Sequence, residues 1–316
     1  MPNYLKLLAA TILLIVQPFA VEAKPPEIKA LAESARRTDS GRPVIVEIPQ
    51  EQLESSVDLG RVAVDMVGGG LLGALISAGQ ARRKIENMSS NARQSADATI
   101  VPLQRSLTDM DVDALAMRTT EIAFANIPWF GSTDFQLDKN ADPDSRLKTV
   151  SEGSTNQTAF VTYIYQMSPD FTQIQVIADV YLFKKPTARR RGKTPLTPIL
   201  YQRILSISEL PERSYEGFVN VNRWNEQDGL LARQSLQRAF QNLEILIPRS
   251  LELNAAEIDV LDDKKQTKAF AAGFYGSLVE RNPLDRNGIL IWSDGLVLVQ
   301  PAVADQMPAV ETGTAP

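Results

Sequence analysis

The chain has 316 residues, with 33 Lys and Arg against 38 Asp and Glu, a formal net charge of −5, no Cys and no His. The missing Cys exclude disulfides, thiol nucleophiles and thiolate metal sites, and the missing His exclude imidazole bases, Ser-His-Asp triads and the commonest zinc ligand. A content of 44% hydrophobic and 22% charged residues is that of a globular chain, and the mild acidity speaks against a general nucleic-acid binder.

In chain order, Lys6 is followed by the apolar run Leu7 to Val16, a break at Gln17-Pro18-Phe19, and Val21-Glu22-Ala23. A positive start, a short apolar core and a small-x-small exit form the signal-peptide pattern. The core is shorter than the ~20 residues that a spanning helix needs. Residues 1–23 are therefore expected to be a signal peptide cleaved after Ala23, giving an exported, periplasmic chain. No Cys follows the apolar core, so the lipoprotein route is closed. Residues 24–42, rich in Pro, Ala and charge, read as a flexible leader, and residues 43–273 as the main domain.

Pro43 to Pro49 is β-branched and bounded by prolines, which predicts a strand. Residues 59–94 read as a long helix with an unusual first half. Met66 to Gly79, MVGGGLLGALISAG, holds no charge and is followed by Arg82, Arg83 and Lys84. Glycine in a helix costs about 1 kcal/mol relative to Ala, so a close contact should offset it. Gly69 and Gly73, four apart, would let two backbones approach, with Leu72, Leu75 and Ile76 beside them. The alternative is a helix packed on the domain's own sheet.

Another helix is expected from Pro102 to about Asn126, then a polar loop over 132–146. Phe160 to Met167, Ile174 to Leu182 and Ile199 to Ile207 read as an antiparallel meander with one buried face, joined first by Ser168-Pro169-Asp170, a turn with Pro at its favoured second position. Gln173, Gln175 and Asp179 fall on the face opposite Ile174, Val176, Ala178 and Val180. A helix from Asp228 to Ile247 carries Leu236, Phe240, Leu243 and Ile247 as its stripe, and Pro248 should kink or end it. Gly276 to Glu280, Gly288 to Trp292 and Leu296 to Gln300 form a small β-meander over 274–302, with Asp294-Gly295 as a hairpin signal. Residues 303–316 read as a disordered tail.

Few constellations carry chemistry. Asp138, Asn140, Asp142 and Asp144 alternate as in a calcium loop, but Pro143 replaces the turn Gly and Thr149 the bidentate Glu, so a solvated loop is the better reading. Asp109, Asp111 and Asp113 fall in a predicted helix, where alternate residues do not face one another. Lys184, Lys185, Arg189, Arg190, Arg191 and Lys193 form a basic cluster between strands, a candidate for anionic surfaces that otherwise reads as a solvated hairpin. Trp129, Trp224 and Trp292 read as packing residues. Gly68-Gly69-Gly70 lacks the spacing and the Lys of a phosphate loop. Nothing calls for a cofactor or a metal.

The order GGGLLGALISAG, a basic helix, the strand pair TAFVTYIYQMSPDFTQIQVIADVYLF, an apolar helix and the closing GILIWSDGLVLVQP resembles a loose family of exported bacterial proteins, some lipid-anchored, with a glycine-rich apolar helix and no known activity. The resemblance covers about Val44 to Pro301. Its motifs are compositional, so it assigns no functional residue, and the lipoprotein Cys of some members is absent. The expected fold is α+β, with a central antiparallel sheet covered by long helices and a small C-terminal β-meander. The expected function is that of a non-enzymatic envelope protein acting through a membrane surface or a protein partner, with self-association through the glycine-rich helix. The alternatives are a periplasmic carrier of a small apolar or anionic ligand and, last, a carboxylate-dependent enzyme.

Overall fold

A computed structural model describes residues 30–37, 41–56, 94–140, 142–186, 196–285 and 287–303. The expected glycine-rich helix, with Gly69, Leu72, Gly73, Leu75 and Ile76, lies outside them, as do the expected signal peptide and residues 304–316.

The fold is α+β, built on a ten-stranded, mostly antiparallel sheet. Its strands are β1 (Arg42–Glu47), β2 (Glu54–Ser55), β3 (Ser132–Asp138), β4 (Gln157–Met167), β5 (Gln173–Lys184), β6 (Leu200–Glu209), β7 (Lys268–Ala271), β8 (Phe274–Arg281), β9 (Ile289–Trp292) and β10 (Leu296–Pro301). The order across the sheet is β3-β1-β4-β5-β6-β10-β9-β8-β7, with β2 on β4. The expected meander is β4–β5–β6, with Thr162 opposite Asp179 and Asp179 opposite Arg203. The C-terminal strands form a second meander, and β10 pairs parallel with β6 from Leu296 to Pro301, so the two meanders make one continuous sheet. The hairpin at Asp294-Gly295 joins β9 to β10 as expected.

The helices are α1 (Glu33–Arg36), α2 (94–106), α3 (Val112–Ala125), α4 (Pro143–Glu152), α5 (Gly217–Glu252) and α6 (Ala255–Asp262). The long α5 covers one sheet face, called near here. Leu236, Phe240, Leu243 and Ile247, the expected stripe, are fully buried there against Tyr163, Val176, Ala178, Val180 and Ile204. Several polar atoms in this layer are matched: Thr120 Oγ1 meets Tyr163 Oη at 2.9 Å, and Asn242 Nδ2 donates to Ser206 Oγ at 3.1 Å and Gln300 Oε1 at 3.0 Å, while Ser235 Oγ and Gln300 Nε2 have no partner among the described residues. Burial pushes the Tyr163 hydroxyl well above the ordinary tyrosine range.

Several local expectations change. Residues 132–146 are not a loop but the edge strand β3, paired parallel with β1, followed by α4. The strand STDFQLD escapes a sequence reading because, at an edge, most of its side chains are exposed and polar. The helix expected from Pro102 to Asn126 is two helices, split by a turn at 107–111 where Asp111 caps α3 by accepting from Ala114 N at 2.9 Å. The helix α5 starts before Asp228, breaks at 226–229 and continues through Pro248 to Glu252. Gln227, Asp228 and Gly229 have φ of 52°, 57° and 73°, a left-handed run that β-carbons disfavour. It is held by Ser106 Oγ donating to Asn225 Oδ1 at 2.7 Å and by Arg233, which bridges the Ser106 carbonyl and Asp109. Past Pro248, buried Leu251 and the Ser250–Gln202 bond of 3.1 Å keep the last turn docked, which offsets the lost backbone bond.

Residues 30–37 are tied to the body by Arg42, 1% exposed and facing no carboxylate among the described residues. Its guanidinium donates to Gln157 Oε1 at 2.7 Å, Trp129 O at 3.0 Å, Arg36 O at 2.8 Å, Ala35 O at 3.2 Å and Phe130 O. Arg36 and Arg42 both lie over the Trp129 ring, at 5.2 and 5.3 Å from its centroid.

Candidate binding groove

The far face of the sheet was expected to be solvated, yet most of it is buried too. One row crosses five strands through paired positions: Asp138, Glu47, Thr162, Asp179 and Arg203. Arg146, from α4, grips buried Glu47 through Nε at 2.8 Å and through Nη2, which also donates to Thr162 Oγ1 at 2.8 Å. Arg203 holds Asp179 with two bonds of 2.8 Å, and Tyr201 Oη adds a third at 3.0 Å. The bond to Asp179 raises the Arg203 pKa above its ordinary value, while burial raises that of Tyr201. The adjacent row is aromatic: Phe160, Tyr181 and Tyr201, with Arg146 4.8 Å from the Tyr181 ring centroid. These ion pairs fasten neighbouring strands and α4 together.

The β4–β5 turn ends the face. Asp170 Oδ1 accepts from Ser168 Oγ at 2.7 Å, Thr172 Oγ1 at 2.8 Å and Thr172 N at 3.3 Å. Burial pushes the Asp170 carboxyl up, but these donors outweigh it and leave the pKa lowered. The turn is anchored to α5 by Asn220 Nδ2 on the Asp170 carbonyl and Trp224 Nε1 on the Phe171 carbonyl, both at 2.9 Å.

Beside the turn lies an open groove of about 670 Å³. Gln173 and Gln175 line it on the sheet side, Asp170, Glu209 and Arg213 at its polar end, and Phe270 to Gly273 on the hairpin side. The hairpin β7–β8 curls over the far face, where Ala269, Ala271, Ala272 and Phe274 pack against Leu205, Ile207, Val297 and Val299. A chain of amides runs through the groove. Gln166 Nε2 donates to Gln175 Oε1 at 3.2 Å, Gln175 Nε2 to Gln173 Oε1 at 2.8 Å, and Gln173 Nε2 to Glu209 Oε1 at 3.3 Å. Arg213 closes it on Glu209 at 2.7 Å. On the outer side of the hairpin, Phe270 and Tyr275 face each other across the strands and are 70% and 66% exposed.

Of the residues singled out in the sequence as site candidates, only Lys184 and Lys185 are among the described residues, and they lie away from this groove. Lys184 is exposed at the opposite end of β5, and Lys185 Nζ donates to the Gly153 carbonyl there. With β5 12 residues long, that end is about 36 Å from Gln173. Arg189, Arg190, Arg191 and Lys193 lie outside the described residues. The chain enters the glycine-rich region from Ser56, whose N donates to Met167 O at 2.9 Å, on the groove side of the sheet. It returns next to Ser55, whose hydroxyl bonds Asp97 in α2. The acidic alternations dissolve into local roles: Asp142 caps α4 by accepting from Ser145 N, Asp109 pairs with Arg233 and Asp113 with Lys139. Among the described residues no group of three or more acidic side chains could hold a metal. All three Trp pack as expected, Trp224 fully buried and Trp292 Nε1 on Asp262 at 2.8 Å. The hairpin was the missed element. Its signal was Ala272-Gly273 between two aromatics, masked by the absence of β-branched residues in KAFA.

Comparison of the chain with family models, with curated proteins and with solved structures gives no match. The groove is thus read from its own chemistry.

Proposed function

We propose that the chain is an exported, non-enzymatic envelope protein that works by holding another protein at the groove under the β7–β8 hairpin. The observation that carries this reading is exposed Phe270, which lines an open groove and stands opposite exposed Tyr275 across the hairpin. Aromatic side chains bury much apolar area at little entropic cost, and they anchor protein interfaces. The signal-peptide pattern of residues 1–23 supports export. Among the described residues no helix is long and apolar enough to cross a membrane.

A second reading, a carrier of a small polar ligand, is favoured by one observation: about 670 Å³ lies within the ordinary range of small-molecule sites. A photo-cross-linking residue at position 275, installed in cells, separates the two. The partner reading expects one discrete protein adduct in the envelope fraction and none from Val260, an exposed site on α6. No adduct from position 275 rejects it. N-terminal sequencing of the envelope material should begin at Lys24, and a chain retaining Met1 would reject a cleaved signal.

A further inference from the structure

A second open cleft, of about 530 Å³, lies between α3 and α5 and shares no lining residue with the groove under the hairpin. Leu115 and Arg118 line it from α3, and Phe240, Asn242, Glu244 and Ile245 from α5. Three polar groups of this lining lack partners. Asn242 is 3% exposed, its Nδ2 donates to Ser206 Oγ and Gln300 Oε1, and its Oδ1 accepts nothing among the described residues. Nearly all buried polar atoms have a partner, so a free acceptor in the wall of a cleft is available to an occupant. Arg118 and Glu244 stand on the two facing helices, and among the described residues neither makes a hydrogen bond or an ion pair. They do act on each other. Burial raises the Glu244 pKa, and the Arg118 charge offsets part of that rise.

These charges restrict what can enter. An anion would be drawn to Arg118 and repelled by Glu244, and a cation the reverse. A neutral apolar molecule would take both charges out of water and satisfy neither. Only a molecule that carries both signs answers both residues. Arg118 and Glu244 are near enough to act on one another, so the two charges of the occupant must also lie close together. Leu115, Phe240 and Ile245 supply an apolar wall, and Ile245 is left 51% exposed. An α-amino acid meets these terms, with ammonium and carboxylate on one carbon and a side chain beside them. The volume is in the ordinary range for small-molecule sites.

We infer that the cleft between α3 and α5 binds a free α-amino acid with an aliphatic side chain, its carboxylate on Arg118, its ammonium on Glu244 and Asn242 Oδ1, and its side chain against Leu115, Phe240 and Ile245. This goes beyond the partner reading above and does not rest on it, so a failed cross-link at position 275 leaves it standing.

The test is calorimetric titration of the full mature chain with L-leucine and three relatives: leucinamide, which lacks the carboxylate, isocaproate, which lacks the ammonium, and glycine, which lacks the side chain. Leucine should bind, and leucinamide and isocaproate should each bind roughly tenfold more weakly, the worth of about one hydrogen bond to a charged group. Glycine should also lose at least about tenfold, for want of apolar contact. The variants then assign each charge. Arg118→Gln should weaken leucine roughly tenfold and leave leucinamide unchanged, while Glu244→Gln should weaken leucine to the same degree and leave isocaproate no weaker. Melting temperatures of the two variants report an intact fold. Absence of leucine binding overturns the inference, as does a one-charge relative that binds as well as leucine. Tighter binding of the dipeptide Leu-Leu overturns it too, as does a variant that weakens leucine and both one-charge relatives alike.

Discussion

On its near face the sheet meets α5 through side chains that need only space, such as Val176, Ala178 and Phe240. On its far face the equivalent rows carry Glu47, Asp179 and Arg203, which need particular partners at particular distances, Arg146 reaching Glu47 from α4. The same strands supply both, because alternate residues point to opposite sides. The contrast teaches where specificity resides. Apolar packing tolerates rearrangement when volume is kept, whereas an ion pair across strands fixes which residue stands opposite which. The far face thus sets the register of β1, β4, β5 and β6, and the near face supplies most of the stability.

That division can be broken in order of effect. Phe240→Ala removes a fully buried ring from the near face and should cost about 3–5 kcal/mol in urea unfolding. Glu47→Ala should cost about 3 kcal/mol, since it strands the largely buried Arg146 and the Thr162 hydroxyl. A loss below about 1 kcal/mol there would show that register does not depend on this pair. Arg203→Ala is expected to cost about 1–2 kcal/mol, because Arg203 is 45% exposed, which weakens the pair, while Asp179 is 6% exposed and would keep only Tyr201.

The smallest effect is a pH dependence at the turn. The Asp170 pKa is lowered in the fold, so its contribution is present above the ordinary carboxylate value of about 4 and is lost as pH falls through the folded value. Asp170→Asn should flatten the stability curve of the protein on the acid side and leave its shape near neutrality unchanged. An identical acid limb in both proteins would show that the turn does not depend on that charge.

Much of the sheet was legible because β4, β5 and β6 alternate strongly and are joined by short connections. The stripe of α5 was legible for the same reason at helical period. The strands β3 and β7 were not, since edge strands carry polar or small residues that do not alternate. Nor were the pairings of β1 with β3 and β6 with β10, which join residues far apart in sequence and leave no local pattern. Of the groove, Gln173 and Gln175 could be assigned to the polar face, but nothing local says that residues 268–275 fold back over them. The break of α5 at 226–229 rests on contacts with Ser106 and Asp109, more than a hundred residues away.

Arg42 has a consequence for the order of assembly. Its guanidinium is satisfied by carbonyls of Ala35, Arg36, Trp129 and Phe130 and by Gln157, contributed by three separate stretches of chain. Until all three have met, burying the charge costs more than leaving it in water. The stretch 30–37 is therefore synthesised early but docks late, as a latch closing on a finished sheet. During unfolding it should release first, so its amide protons should exchange well before those of β4 and β5.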